Sequence, residues 1–319
     1  MTHFDSLDRR RFMMAGSTLL TAAATVKNVA ASAVASDCSH RMSLGFSLYG
    51  MKDVETEQAL QTLRKIGFDS VELCLVNGFP TEPGLLDRAA RRQLRGALAK
   101  HNLCLRAMME NIPLSLNREK NKPTVERLKH AAELARDLSD GTPPLIETIL
   151  GSGKWLEVRD MYAAEVRTWA AVAQREGIRL AIKPHRSNAM DTPEKALWLM
   201  QQVNSDHVGL GYDYSHFFGR GIDMDQSIRQ LAPYTFFVHV KDTIIDDGKA
   251  RFALPGSTGD IDYARLLKRL SEHGYTGDVC VEVSSQVWKQ PDYDAVAAAK
   301  QSYQKMSAAF HIAGIERPA

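Results

Sequence analysis

"RLAIKPH", residues 179–185, passes through Leu180, Ala181 and Ile182 without a polar break and then ends in Lys183, Pro184 and His185. A short run that is apolar on both of its alternating faces, with Gly177 just ahead of it, fits a strand covered by helices on both sides, as in a parallel sheet. Lysine is almost never buried without a partner, so the cation and the imidazole at its carboxyl end imply a polar site there.

Working outward, seven more runs of this kind occur. They are "SLGFSLYG" (43–50), "SVELCLV" (70–76), "LCLRAMME" (103–110), "PLIETILG" (144–151), "VGLGYDYSHF" (208–217), "TFFVHVKD" (235–242) and "DVCVEVSS" (278–285). Between them lie segments of helical period, such as Leu60, Leu63 and Ile66, or Leu128, Ala131, Leu134 and Leu138, or Tyr263, Leu266, Leu267 and Leu270. Thr192-Pro193-Glu194 is a helix start, and Gly67, Gly177 and Gly274 sit where helices should stop. Eight strand–helix units without a linker predict an α/β chain closed into one (β/α)8 TIM barrel, because closure gives every strand two neighbours through short right-handed crossovers. No G-x-G-x-x-G follows the first strand, which disfavours an open dinucleotide-binding sheet. The polar stretch 111–123 is expected to be a loop over the third strand's end.

The first 35 residues stand apart. "DRRRFMM" (8–14) places Arg9 and Arg10 ahead of Phe12, a mildly apolar stretch follows, and Ala33-Val34-Ala35 has the form of a cleavage site. This pattern is similar to a twin-arginine export signal over 1–35, with the barrel over 36–319, and predicts the twin-arginine machinery as a partner and a periplasmic location. The stretch is too short and too polar for a stable membrane span. From 40 basic and 38 acidic residues it would remove Arg9, Arg10, Arg11 and Lys27 against Asp5 and Asp8, leaving the remainder balanced. A neutral body without a basic block argues against nucleic acid or an anionic membrane as partner. Cys74, Cys104 and Cys280 each fall in an apolar run, so no structural disulfide is expected.

Active sites of such barrels lie at the carboxyl ends of the strands. The polar residues there are Glu72, Arg106 and Glu110, Glu147, Lys183 and His185, Asp213 and His216, His239 and Lys241, and Glu282. Residues two apart on a strand share a face, which pairs Lys183 with His185 and His239 with Lys241. Asp213, His239 and Glu282 come from three consecutive strands, and two carboxylates with one imidazole form a ligand set for one divalent ion, Mn2+, Mg2+, Co2+ or Zn2+. A structural salt-bridge cluster closing the mouth is the alternative.

The succession "YDYSHF", "FVHVKD", "LPGSTGDIDY" and "GYTGDVCVEVS" resembles the xylose isomerase-like TIM barrels grouped as sugar phosphate isomerases/epimerases. The shared features are Asp-x-x-His at Asp213 and His216, His-x-Lys-Asp at His239 to Asp242, and Gly-Tyr-x-Gly leading to Glu282. The glycine loop at Gly256–Gly259 is one residue longer than the usual spacing. The resemblance implies a metal held by Glu, Asp, His and Glu, with a proton moved beside a carbonyl of a carbohydrate. Asp213, His239 and Glu282 match three of those ligands, and His216 a substrate-contacting histidine.

The fourth ligand, a fifth-strand glutamate, is replaced by Lys183. Three alternatives stand: Glu147 supplies the carboxylate and Lys183 binds substrate or acts as a base; His185 turns inward as the ligand; or the metal is gone and Lys183 pairs with Asp213, Glu147 or Glu282. With a metal, the expected reaction is isomerisation or epimerisation of a keto-sugar or polyol, with dehydratase or lyase chemistry as the alternative and a non-catalytic carbohydrate-binding barrel as a third. His185, Lys183 or Glu147 is the candidate base, His216, Lys241 and Arg106 orient hydroxyls, Glu72 is a further substrate contact, and Trp288 could stack on a sugar ring. Phosphorylated substrates are disfavoured, since the chain has no glycine-rich phosphate loop.

Overall fold

The computed structural model describes residues 41–318, so the export-signal expectation for 1–35 lies outside the described residues. Among the described residues there are ten strands: β1 (Ser43–Ser47), β2 (Ser70–Cys74), β3 (Cys104–Met109), β4 (Leu145–Ile149), β5 (Leu180–Lys183), β6 (Val208–Tyr212), β7 (Thr235–Val240), β8 (Asp242–Asp246), β9 (Lys249–Ala253) and β10 (Asp278–Val281). Eight of them, all parallel, close into a barrel in the order β1-β10-β7-β6-β5-β4-β3-β2. Each sequence run begins at or within one residue of its strand and outlasts it, because the polar residues that follow the apolar core leave the ladder to form the mouth.

Helices cover the barrel with the apolar faces their spacing gives them. Leu60, Leu63, Leu128, Leu134, Val166, Trp169, Leu267 and Leu270 are fully or almost fully buried. Each such side chain contributes about 1.5–3 kcal/mol relative to staying in water. The caps follow the sequence signals. Thr192 Oγ1 accepts from the Lys195 N–H, Pro193 occupies the first turn, and Gly67 and Gly177 end their helices in the left-handed region. Part of 111–123 is ordered more tightly than a loop, since a 3-10 turn spans Arg118–Asn121 and the next helix begins at Lys122 with Pro123 in its first turn.

Two features depart from expectation. The chain after β7 forms an antiparallel hairpin, β8–β9, paired from Asp242↔Ala253 to Asp246↔Lys249 and separate from the barrel sheet. Asp247 and Gly248 turn it with φ of 46° and 71°, the torsions a tight hairpin turn demands. Cys74 and Cys280 are free and buried, but Cys104 is disulfide-bonded, which corrects the expectation for that residue. It opens β3, at the strand's first position rather than inside the barrel. No described helix is long and apolar enough to cross a membrane.

Side chains alternate in and out of the barrel. A lower inward layer is apolar, built from Ala107, Leu145, Ala181, Phe237 and Cys280. The next inward positions toward the mouth are Glu147 on β4, Lys183 on β5 and His239 on β7, with Glu282 just beyond β10. The apolar layer seals the barrel from below, so these charged groups meet above a dry floor.

Candidate active site

Lys183 ends β5 with its side chain 3% exposed, and its ammonium lies among three groups. Nζ is 3.0 Å from Glu282 Oε2, 3.0 Å from His239 Nδ1 and 3.4 Å from Glu147 Oε1. Burial alone would lower this lysine's pKa, but Glu147, Glu282, Asp213 and Glu72 outweigh it and hold the pKa well above its ordinary value. On its other side His239 Nε2 is 3.0 Å from Glu72 Oε2. Burial and Lys183 disfavour the imidazolium at His239 while Glu72 and Glu282 favour it, with a net upward shift. Two protonated nitrogens cannot face each other at hydrogen-bond distance. The persistent ammonium therefore donates to a bare Nδ1, and Nε2 directs its proton at Glu72.

A second ammonium stands above the first. Lys241 Nζ donates to Asp213 Oδ2 in a short contact and to Glu282 Oε2 at 2.6 Å, and lies 5.0 Å from the centre of the Phe252 ring. Asp213 is fixed from its other oxygen, which accepts from Ser215 N–H at 3.0 Å and Ser215 Oγ at 2.6 Å. Asp242, next in the chain, accepts from Thr258 N–H at 2.9 Å and from the Tyr263 hydroxyl, which ties the glycine loop to the end of β7. Glu282 Oε2 thus serves both lysines. Although burial would raise its pKa, Lys183 and Lys241 hold it well below the carboxylate range. Glu147 goes the other way, pushed up by burial, and neither of its oxygens has a hydrogen-bond partner.

These groups close one side of a cavity of about 110 Å³ whose lining includes Lys183, Lys241, Glu282, His185 and His216. The two imidazole rings lie 4.1 Å apart. His185 is lowered to about 4 by burial and the two lysines, and His216 is lowered for similar reasons, so both are neutral at pH 7. His185 Nδ1 accepts the Ser187 N–H at 3.2 Å and His216 Nδ1 faces the Arg186 N–H at 3.5 Å, which leaves Nε2 of each ring to carry the proton. His216 Nε2 is 3.4 Å from Asp213 Oδ2.

Asp213, His239 and Glu282 are therefore brought together, as are Lys183, His185, His216 and Lys241; Glu72 and Glu147 pack directly against this group but do not line the cavity. Glu72, expected as a substrate contact, meets His239 Nε2 and is not among the cavity-lining residues. Arg106, expected to orient hydroxyls, lies away from the cavity. The β2–β3 register shifts so that Val71 pairs with Leu105 and Glu72 with Ala107, which makes Arg106 the bulged residue. Its charge acts on Asp278 and Tyr275, at the amino-terminal end of β10, and it does not line the cavity. Trp288 sits behind the wall, edge-on to Tyr49 at 5.5 Å and to Phe79 at 6.1 Å, and Tyr49 rather than Trp288 meets the cavity.

Sequence reasoning missed Tyr49, Asn111, Phe252, Ser284 and Ser285 in the lining. Tyr49, Ser284 and Ser285 lie just past β1 and β10, inside the runs already read as strands, so the strand-end rule could have found them. Phe252 arrives on the unforeseen hairpin, for which Asp247-Gly248 between Ile244-Ile245 and Phe252 was the available signal.

The described residues contain a group able to hold a metal, since Asp213, His239 and Glu282 offer ligand atoms within 4.8 Å of one another. Each of those atoms, however, already contacts an ammonium. Lys241 bridges Asp213 and Glu282, and Lys183 bridges Glu282 and His239, so the two lysines stand where an ion bound to all three would have to stand. The donor set fits a divalent ion only with those ammoniums displaced.

A closed parallel barrel with a charged mouth of this kind defines a barrel enzyme. The chain belongs to the xylose isomerase-like TIM barrel family, whose model matches residues 60–307. It is 24% identical to an L-ribulose 3-epimerase of Mesorhizobium japonicum over 78% of this chain and 86% of that one. It is likewise 24% identical to a ketose 3-epimerase of Arthrobacter globiformis, over 73% and 79%. An inosose dehydratase of Clostridium perfringens is 25% identical over 43% of this chain and 52% of its own. Among solved structures, a xylose isomerase-like barrel protein of Mycobacterium smegmatis in complex with magnesium superposes with a TM-score of 0.65 at 18% identity, covering 86% of this chain and 98% of that one. The IOLI protein with a bound zinc atom gives 0.69 at 19%, over 86% and 98%.

Proposed function

We propose that the protein is a carbohydrate isomerase or epimerase that moves a proton at the carbon beside the carbonyl of a keto-sugar or keto-polyol. The observation that carries this reading is the sharing of Glu282 Oε2 by two buried ammoniums at the cavity wall. A carbonyl oxygen placed against Lys183 and Lys241 becomes more electrophilic, and the negative oxygen formed when the neighbouring C–H proton leaves meets two fixed donors. Glu282, the carboxylate on the cavity wall, takes that proton and gives it back to carbon directly, or gives it up to solvent while a water on the opposite face protonates the carbon; His185 and His216, neutral and with Nε2–H directed away from their backbone contacts, bind and orient hydroxyls. Return to the opposite face gives epimerisation, and return to the neighbouring carbon gives isomerisation.

The named epimerases among the relatives support this class, and the dehydratase among them makes loss of a β-oxygen the competing outcome of the same proton abstraction. The twin-arginine pattern at residues 8–14 supports export, so the proposed substrates are unphosphorylated sugars outside the inner membrane, and cell fractionation tests that location. The chemistry is tested by incubating the protein in D2O, with and without added divalent ions, against ketoses, keto-polyols and oxidised glycosides. NMR should show deuterium entering one carbon beside the carbonyl. Folded protein that exchanges no proton in any of these classes refutes the reading, and release of water or of an aglycone would assign the lyase branch instead.

A further inference from the structure

We propose that the ammonium of Lys183 is the resident cation of this mouth, occupying the place of a divalent ion among Glu147, His239 and Glu282. This deepens the reading of the cavity as a catalytic site, but its test does not depend on turnover. Three observations carry it. Lys183 Nζ is within 3.0–3.4 Å of an atom on each of those three residues, which come from three different strands, so the ammonium lies at their common centre. Its stem is enclosed as well. Position 211 on the adjacent β6 is glycine, and a Cβ there would come within 3.5 Å of Lys183 Cβ and 3.6 Å of Glu147 Cγ, so the lysine runs along a strand that presents only backbone to it. Only 3% of its side chain is exposed, so the ammonium is held by its ion pairs rather than by water.

Lys241 reinforces the exclusion. Its ammonium, 2% exposed, is held between Asp213 Oδ2 and Glu282 Oε2, so the Asp213 oxygen that faces the group is also met by a cation. A divalent ion bound to Asp213, His239 and Glu282 would have two ammoniums as immediate neighbours, with little water to screen them. The carbonyl-polarising charge of the proposed reaction would then come from side chains fixed by the fold, requiring no metal supply and insensitive to chelators.

The test uses the full chain, incubated separately with Mn2+, Co2+, Zn2+ and Mg2+, desalted, and analysed for bound metal and for thermal shift. The wild type should retain less than about one ion per ten chains and show no rise in melting temperature with any of the four. Lys183→Glu, which turns the central cation into a fourth ligand, should retain near-stoichiometric Mn2+, Co2+ or Zn2+ and melt higher when the ion is added. Lys183→Met, which only removes the charge, should bind at least about tenfold more tightly than the wild type. A wild type that holds close to one ion per chain and loses melting temperature on chelation overturns the proposal. So does a metal-free wild type whose two variants fold and still acquire no ion. Should Lys183→Glu fail to fold, the wild-type metal content and Lys183→Met decide alone. Absence of deuterium exchange with sugars would count against the proposed reaction without touching this result.

Discussion

Glu282→Gln isolates the atom on which the site turns. The substitution keeps shape and an amide oxygen but removes the charge that Oε2 presents to Lys183 at 3.0 Å and to Lys241 at 2.6 Å. A buried charge-assisted hydrogen bond is worth about 1.5–3 kcal/mol and a neutral one about 0.5–1.5 kcal/mol, so each contact should weaken by about 1–1.5 kcal/mol. Stripping an ammonium of its only partner would cost about 3–5 kcal/mol, but Lys183 keeps Glu147 and Lys241 keeps Asp213. The expected loss is therefore about 2–3 kcal/mol, well inside the roughly 5–15 kcal/mol of an ordinary domain. Urea unfolding followed by circular dichroism reads it, and the same change in a Lys241→Met background should cost about half, for a coupling of about 1–1.5 kcal/mol. The acid limb gives an independent sign. Since the folded pKa of Glu282 is depressed, its contribution is present above the unfolded carboxyl value near 4 and is lost as pH falls below it, so the variant's stability should be flatter there. A single-variant loss below about 0.5 kcal/mol, or additivity within about 0.3 kcal/mol, would mean that Oε2 does not join the two lysines.

Asp278 tests the opposite end of the barrel. Burial pushes its pKa up to about 6 despite hydrogen bonds from Ser43 and Ser70, so the protonated form is favoured on folding, and its stabilisation, complete below pH ~4, is lost as pH rises through about 6. Asp278→Asn should gain on the wild type by up to about 3 kcal/mol between pH 4.5 and 7.5, measured by urea midpoints; a pH-independent difference refutes it. Gly151→Ala would put a Cβ 1.8 Å from the Leu114 carbonyl oxygen, where only backbone can move, and should lower stability by at least about 2 kcal/mol; a near-neutral melting curve would contradict the close approach of these two loops. Phe252→Ala should raise KM for the sugar identified by proton exchange at least about threefold and also lower stability by about 3 kcal/mol, because the ring is buried against Lys241 and His216 while lining the cavity; an unchanged KM removes it from the binding surface.

All eight barrel strands were legible because each is apolar on both faces and bounded by polar or glycine-bearing segments. Where each ladder stops was not legible, although the polar residues near it were, since Lys183, Asp213 and Glu282 continue the alternation in sequence while beginning the site in space. Convergence of Asp213, His239 and Glu282 followed from strand order alone. What no spacing rule could fix was the partner of Lys183: a lysine stem reaches several groups, and which one it meets depends on how far the barrel closes. Arg106 reads as a mouth residue because it is polar and near the end of the third run, and the bulge that displaces it leaves no mark in the sequence. The hairpin carries little apolar alternation, and its plainest mark in the sequence is the turn Asp247-Gly248.

That hairpin has an evolutionary consequence. Its two strands bond to each other and none of the eight staves depends on them, so residues can be inserted, deleted or exchanged between Thr243 and Phe252 with little effect on closure of the cylinder. Because one of its side chains overhangs the cavity, related chains could acquire new preferences for bulky or slender sugars by trading this ribbon alone. Directed libraries confined to those ten positions would be the economical way to retune selectivity.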